Sequence, residues 1–188
     1  MKNITIYLLV AFLPLGLFGQ YQITGEVVLP SGLPICEVLV ELQDASGEVL
    51  AQDISEMDGT FELSDVPEGT NYTLLFTKEG AAIGGTSTFD LVLISRYILG
   101  INPAPPYYNW IADVNGSGTV TTLDMLIIRK VILHIDPAFP VPTWAFDEPT
   151  AQSPDNQIGL PTVNAELDLQ VVGVKRGDIN GTIQVDCN

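Results

Sequence analysis

The chain has 188 residues, 46% of them hydrophobic, and 23 acidic against 7 basic side chains give it a formal charge of −16. That length and apolar content build one or two small domains with a real core and exclude global disorder. The acidity excludes nucleic-acid binding, because such a surface repels a phosphate backbone, and it suits a cation-binding protein outside the cell.

Residues 1–19 read as a secretory signal. Lys2 supplies a short basic region, residues 4–18 form an apolar run, and Gly19 is a small residue at a cleavage point before Gln20. The run is shorter than the ~20 residues a spanning helix wants. Cleavage is therefore expected, giving a secreted or cell-surface protein with no transmembrane segment after it. Cys36 and Cys187 are the two cysteines. In an exported chain such a pair forms a bridge or stays as two thiols, and the sequence gives no distance that would decide.

Residues 20–78 read as an antiparallel β-sandwich. Candidate strands are 21–28, 36–42, 48–53, 60–63 and 72–78, with Val38, Val40 and Leu42 alternating against Glu37, Leu39 and Glu41. Pro30-Ser31-Gly32, Ser46-Gly47, Asp58-Gly59 and Pro67-Glu68-Gly69 mark the turns. The elements Ile23-Thr24-Gly25-Glu26-Val27, Val38-Leu39-Val40-Glu41-Leu42, Asp58-Gly59-Thr60-Phe61 and Val66-Pro67-Glu68-Gly69 resemble carboxypeptidase regulatory-like, or transthyretin-like, domains of secreted bacterial proteins. The resemblance implies a non-catalytic domain. The related hydroxyisourate hydrolases use His and Arg, and residues 20–78 hold neither.

An internal repeat follows, with residues 84–101 aligning to 118–135. Gly84/Gly118, Thr88/Thr122, Asp90/Asp124, Ile94/Ile128, Ile98/Ile132, Leu99/Leu133 and Ile101/Ile135 are identical, and Arg96/Lys130 keeps its charge. Each copy predicts one helix, over 88–99 and 122–134, with Thr88 and Thr122 as N-caps and Asp90 and Asp124 in the first turn. The connector 102–112 is rich in proline and aromatics. Beyond Asp136 the chain is rich in Pro, Asn and Asp, with a hairpin expected from 143–146 and 167–175.

Ahead of the second helix, residues 113–124 place oxygen-bearing side chains at Asp113, Asn115, Ser117, Thr121 and Asp124, with Gly116 at the sharp turn. That is the spacing of a calcium loop, in which six to eight hard oxygens surround the ion and the sixth residue turns sharply. A loop of this form, followed by one helix and duplicated, resembles a type I dockerin. The wider layout is similar to secreted Bacteroidetes dockerin-like proteins. The resemblance implies two F-hands (loop plus exiting helix). Asp113, Asn115 and Ser117 would bind through side chains, Thr119 through its carbonyl, and Thr121 directly or through water, with Asp124 closing the shell.

The first copy departs from this pattern, because Glu79, Ala81 and Ile83 fall where ligands belong, and Ala81 and Ile83 cannot ligate through side chains. The missing half has a counterpart at the far end, Asp178-Ile179-Asn180-Gly181-Thr182, which matches Asp113-Val114-Asn115-Gly116-Ser117. We therefore expect one Ca2+, or two if Asp178, Asn180 and Thr182 complete a split loop with Asp90 and the backbone near 85–87. The alternative is a solvated turn near the terminus.

In dockerins the partner, a cohesin, is read by the end of the loop and by the helix about two turns on. Those positions map to Thr122, Leu123, Arg129 and Lys130, and to Thr88, Phe89, Ser95 and Arg96 in the first copy. An ordinary core with a solvated basic edge would account for them too. The helix at 122–134 is apolar nearly all round, so it packs on its own β-domain or on a partner. Tyr107, Tyr108, Trp110 and Trp144 leave open a carbohydrate-stacking platform. No motif supports an enzyme, and the single His134 sits at a helix end.

The expectation is an α+β multidomain chain: signal 1–19, antiparallel β-sandwich 20–78, dockerin-like F-hand pair 79–136, and a Pro/Asp-rich segment 137–188 with short β content that closes on that pair. The function expected is calcium-dependent assembly or adhesion, with a cohesin-like or surface protein, or a polysaccharide, as partner.

Overall fold

The computed structural model describes residues 20–185 and 187; the signal expected over 1–19 lies outside the described residues. Five strands come first: β1 (Gln20–Val28), β2 (Leu39–Gln43), β3 (Val49–Ile54), β4 (Thr60–Pro67) and β5 (Gly69–Thr77). Three helices follow, α1 (Thr88–Ile98), α2 (Tyr108–Ala112) and α3 (Thr122–Ile132), and then β6 (Trp144–Asp147), β7 (Gln157–Val163) and β8 (Leu167–Lys175). The class is α+β. The strands form two four-stranded sheets, ordered β4-β1-β8-β6 and β3-β2-β5-β7. Every pairing is antiparallel except β1 with β8, which run parallel. Alternation works as expected in the first part of β4, which buries Phe61 and Leu63 between exposed neighbours.

Residues 20–78 do not close these sheets. β6 and β8 complete one sheet and β7 the other, so the segment beyond 137 belongs to the sandwich as well as to the helices. Trp144, Phe146, Ile158, Leu160, Val163 and Val171 lie in the same core as Ile23, Val27, Val40, Leu42, Leu74 and Phe76. The physical reason is coverage: five short strands cannot bury both inner faces, and β1 would otherwise present an open edge. The strands expected to form a hairpin do pair, Trp144 opposite Lys175 and Asp147 opposite Val172. They are not joined by a turn, however, since β7 lies between them in the chain and crosses to the other sheet. β7 escaped the sequence reading because Gly159 and Pro161 resemble turn residues; an edge strand tolerates both.

A second core lies on the outer face of β6 and β8. Ala145, Val172 and Val174 meet Leu91, Ile94, Trp110, Ile111, Ile128 and Val131 there. Strand β8 is thus covered on both faces over 171–174, which explains the unbroken apolar run there. Short α2 arises within the connector rich in proline and aromatics; its Trp110, Ile111 and Ala112 are buried.

Both long helices start where expected, at Thr88 and Thr122, but their N-caps are the residues before, Ser87 and Thr121, and not Thr88 and Thr122 themselves. Each makes a capping box, and the partner carboxylate at the third helical position is Asp90 or Asp124. Each ends in the same left-handed turn: Ile101 N donates to Arg96 O at 2.9 Å, and Ile135 N to Lys130 O at 2.9 Å. Cys36 and Cys187 are bridged, with their Cα atoms 5.7 Å apart. Among the described residues no helix is long and apolar enough to cross a membrane.

Candidate metal centre

The capping box of α3 fixes Asp124. Thr121 N donates to Asp124 Oδ2 at 2.8 Å, while Thr121 Oγ1 accepts from Leu123 N at 3.2 Å. The Asp124 carboxylate is fully buried, and its Oδ1 finds no hydrogen-bond partner in the protein. An unpaired buried carboxylate oxygen costs about 1–3 kcal/mol or more, so the position calls for a cation.

The preceding loop is closed by hydrogen bonds to its own side-chain oxygens. Asp113 Oδ1 accepts from Ser117 N at 3.0 Å and its Oδ2 from Gly118 N at 2.7 Å. Asn115 Oδ1 accepts from Ser117 N at 2.9 Å, and Ser117 Oγ donates to Thr119 O at 3.0 Å. Gly116 (φ 71°) and Gly118 (φ 82°) take the left-handed turns that wrap the chain. Among the described residues no group of three or more His, Cys, Asp or Glu side chains converges. The donors here are carboxylate, amide, hydroxyl and carbonyl oxygens, a set that suits a hard cation such as Ca2+ and offers a soft metal nothing.

Residues 84–139 match the dockerin type I domain.

The match covers the two repeat copies and leaves out the strands on either side of them. No curated protein matches the chain. Solved structures to which the chain is similar include the major pilin subunit of Bacillus cereus, with a TM-score of 0.30 and 16% identity over 33% of this chain and 19% of the pilin. Another is a 9R-lipoxygenase from Cyanothece, with a TM-score of 0.25 and 16% identity over 37% of this chain and 12% of the enzyme. The chain spans less than a fifth of either protein, and neither likeness carries an argument.

Just ahead of the dockerin-matched segment, the stretch holding Glu79, Ala81 and Ile83 forms no loop equivalent to 113–118. The tail beyond β8 lies there instead. Asp178 Oδ1 accepts from Thr182 N at 3.0 Å and Oδ2 from Ile183 N at 2.7 Å. Asn180 N donates to Asp90 Oδ1 at 3.1 Å, and Thr182 Oγ1 donates to Gly85 O at 3.1 Å. Asp90 Oδ2 accepts from Ser87 N at 2.8 Å. Residues 90 positions apart are thus brought into one cluster. Burial lifts the Asp178 carboxyl above its usual range, and the charge of Asp90 pushes it the same way, against the bonds from Thr182 and Ile183.

Two supporting side chains, Arg176 and Lys175, were not singled out from sequence. Arg176, buried at the end of β8, donates from Nη1 to Trp110 O and Asp113 O, each at 2.9 Å. It holds the calcium-type loop to the sheet from behind. Burial lowers its pKa while Asp113 raises it again. Lys175 does the same on the tail side, donating from Nζ to Ala82 O at 2.8 Å; burial lowers its pKa to about 8, against the pull of Asp178. Tyr108 lies near Asp124 with its hydroxyl buried and unpaired, and burial raises that hydroxyl to about 12, with the charge of Asp124 adding to the shift. The sequence signal was a Lys-Arg pair ending an apolar strand, where solvent-exposed charge is the ordinary reading.

Of the residues mapped to partner binding, Thr88, Phe89, Arg96, Thr122, Leu123 and Arg129 are exposed, and Ser95 and Lys130 are half-buried. Trp110 and Trp144 are only 2% and 3% exposed. They fill the two cores, which leaves Tyr107 and Tyr108, both half-buried, as the aromatics open to a ligand.

Proposed function

We propose that this chain is an exported, non-catalytic protein-interaction module whose dockerin-matched helices are ordered by calcium. The observation that carries the reading is the buried, unpaired Oδ1 of Asp124 at the end of an all-oxygen loop. Asp113, Asn115, Ser117, the Thr119 carbonyl and Asp124 would hold the ion, and Thr121 serves mainly as the helix cap. Bound calcium supplies charge neutralisation and couples metal uptake to folding. The chain's own residues do the rest: Arg176 fixes the loop's first carbonyl, and Asp124 ties loop to helix. In this reading the two copies are F-hands of the type I dockerin kind. The sandwich is a carboxypeptidase regulatory-like spacer, as in secreted Bacteroidetes proteins, on its sequence motifs alone.

The surface offered to a protein partner lies on α1 and α3. Phe89, Val92 and Leu99 on one helix, and Leu123, Leu126 and Leu133 on the other, are exposed large apolar side chains. Arg96 and Arg129 lie beside them in a molecule of formal charge −16, so an acidic-rimmed, cohesin-like partner suits this face. Carbohydrate stacking finds less support, since both tryptophans are buried.

The test is thermal unfolding of the purified chain with calcium and with EGTA. Calcium should raise Tm by several degrees, and Asp124→Asn should cancel most of that gain. Equal Tm values with and without the chelator would end the reading.

A further inference from the structure

The geometry points to a second calcium site divided between the two ends of the fold, in which the tail after β8 supplies the first six loop positions and the stretch before α1 the last six. The inference rests on the calcium reading of residues 113–124 and extends it to residues outside the dockerin-matched segment.

The two loops correspond bond by bond. In the contiguous loop Ser117 N and Gly118 N donate to the two oxygens of Asp113 at 3.0 and 2.7 Å. In the tail Thr182 N and Ile183 N donate to the two oxygens of Asp178 at 3.0 and 2.7 Å. Ser117 Oγ donates to Thr119 O at 3.0 Å, and Thr182 Oγ1 donates at 3.1 Å to Gly85 O, the carbonyl that the repeat aligns with Thr119. Thr121 N donates to Asp124 Oδ2 at 2.8 Å, and Ser87 N to Asp90 Oδ2 at 2.8 Å. Gly116 and Gly181 both take positive φ, at 71° and 65°. The apolar residue at the second position is buried in each loop, Val114 in one and Ile179 in the other. Residues 178–183 followed by 85–90 therefore repeat residues 113–124 across a chain break.

The donors also fit the ion. Asp90 and Asp178 are nearly inaccessible carboxylates facing one cluster, and Asn180, Thr182 and the Gly85 carbonyl add neutral oxygens. The cradle is tight: a Cβ at Gly85 would stand 2.6 Å from Asp178 Oδ2, and φ there is +72°. Two buried carboxylates brought this close repel each other; Lys175, which donates from Nζ to Ala82 O, offsets part of that charge, and a divalent cation would offset the rest. The consequence is mechanical. This ion would join the strand β8 tail to α1, and the Cys36–Cys187 bridge anchors the same tail to the sandwich.

Isothermal titration of calcium into the full oxidised chain, with bound metal counted after gel filtration, tests the inference. Wild type should take two equivalents. Asp178→Asn combined with Asn180→Ala should take one, with the remaining affinity changed less than about threefold, and Asp124→Asn should leave the other. Thr182→Val removes one exposed hydroxyl without threatening the fold and should weaken one of the two sites by about tenfold. One equivalent in wild type that survives the double substitution, or a Thr182→Val isotherm identical to wild type, overturns the divided site while the 113–124 site stands. No uptake at all removes both.

Discussion

Asp90 and Asp124 hold the same place in two helices, yet their free oxygens differ. Asp90 Oδ1 accepts from Asn180 N, whereas Asp124 Oδ1 accepts from nothing. In each aspartate the other oxygen, Oδ2, caps the helix. That is why helix-capping alone does not explain them. His134 has a simpler account. It occupies the left-handed residue that closes α3 (φ 54°), where Gly100 (φ 67°) closes α1. A side chain there strains the backbone, and glycine does not. His134→Gly should therefore stabilise the chain by about 1 kcal/mol in urea titrations with EGTA present. A loss of stability would mean the imidazole makes a contact that outweighs the strain.

At the scale of elements, each long helix buries a narrow stripe. Leu91 and Ile94 on α1, and Ile128 and Val131 on α3, are buried in the core that also takes in Val172 and Val174 of β8, while Phe89, Val92, Leu123 and Leu126 stay exposed. The sequence showed apolarity nearly all round α3 but not which residues faced the sheet. Burial and binding can accordingly be separated by substitution. Ile128→Ala should cost about 2–5 kcal/mol, because it opens a cavity at a fully buried position. Leu126→Asp, at a half-exposed position, should change stability by no more than about 0.5 kcal/mol and yet abolish calcium-dependent capture of a partner. Equal stability losses in the two variants, read from chemical denaturation, would contradict this division of the helix.

At the scale of the molecule, the helical segment is an insertion between strands of one sandwich. β1 pairs with β8 in parallel, so the first and last strands are neighbours although the helices come between them in sequence. The bridge from Cys36 to Cys187 spans 151 residues and closes nearly the whole described chain into one loop. Chain-entropy arguments assign such a long closure about 3–5 kcal/mol. Reduction should lower denaturant stability by that amount and weaken calcium uptake at the tail more than at 113–124. If reduction left both unchanged, the tail would be held by its other contacts alone.

Some of this was legible in the residues. Asp113 through Asp124 announced an oxygen-lined loop because every donor lies within twelve consecutive positions, where spacing alone fixes the geometry. The first five strands and both long helices were legible for the same reason: alternation and capping are local. β7 was not, since Gly159 and Pro161 mimic a turn and only its edge position makes them tolerable. The extent of the sandwich was not either, because strand pairing across the insertion is a matter of which apolar faces remain uncovered. The likeness of 178–182 to 113–117 was visible in sequence, but which partner the tail would meet was not. By itself the sequence determined the contiguous loop, the repeat and the helix caps, all set by near neighbours along the chain. Only the tertiary structure decided that residues 144–175 finish the sheets, that Cys36 meets Cys187 and that Asp178 faces Asp90, because each depends on long-range packing that no local pattern encodes.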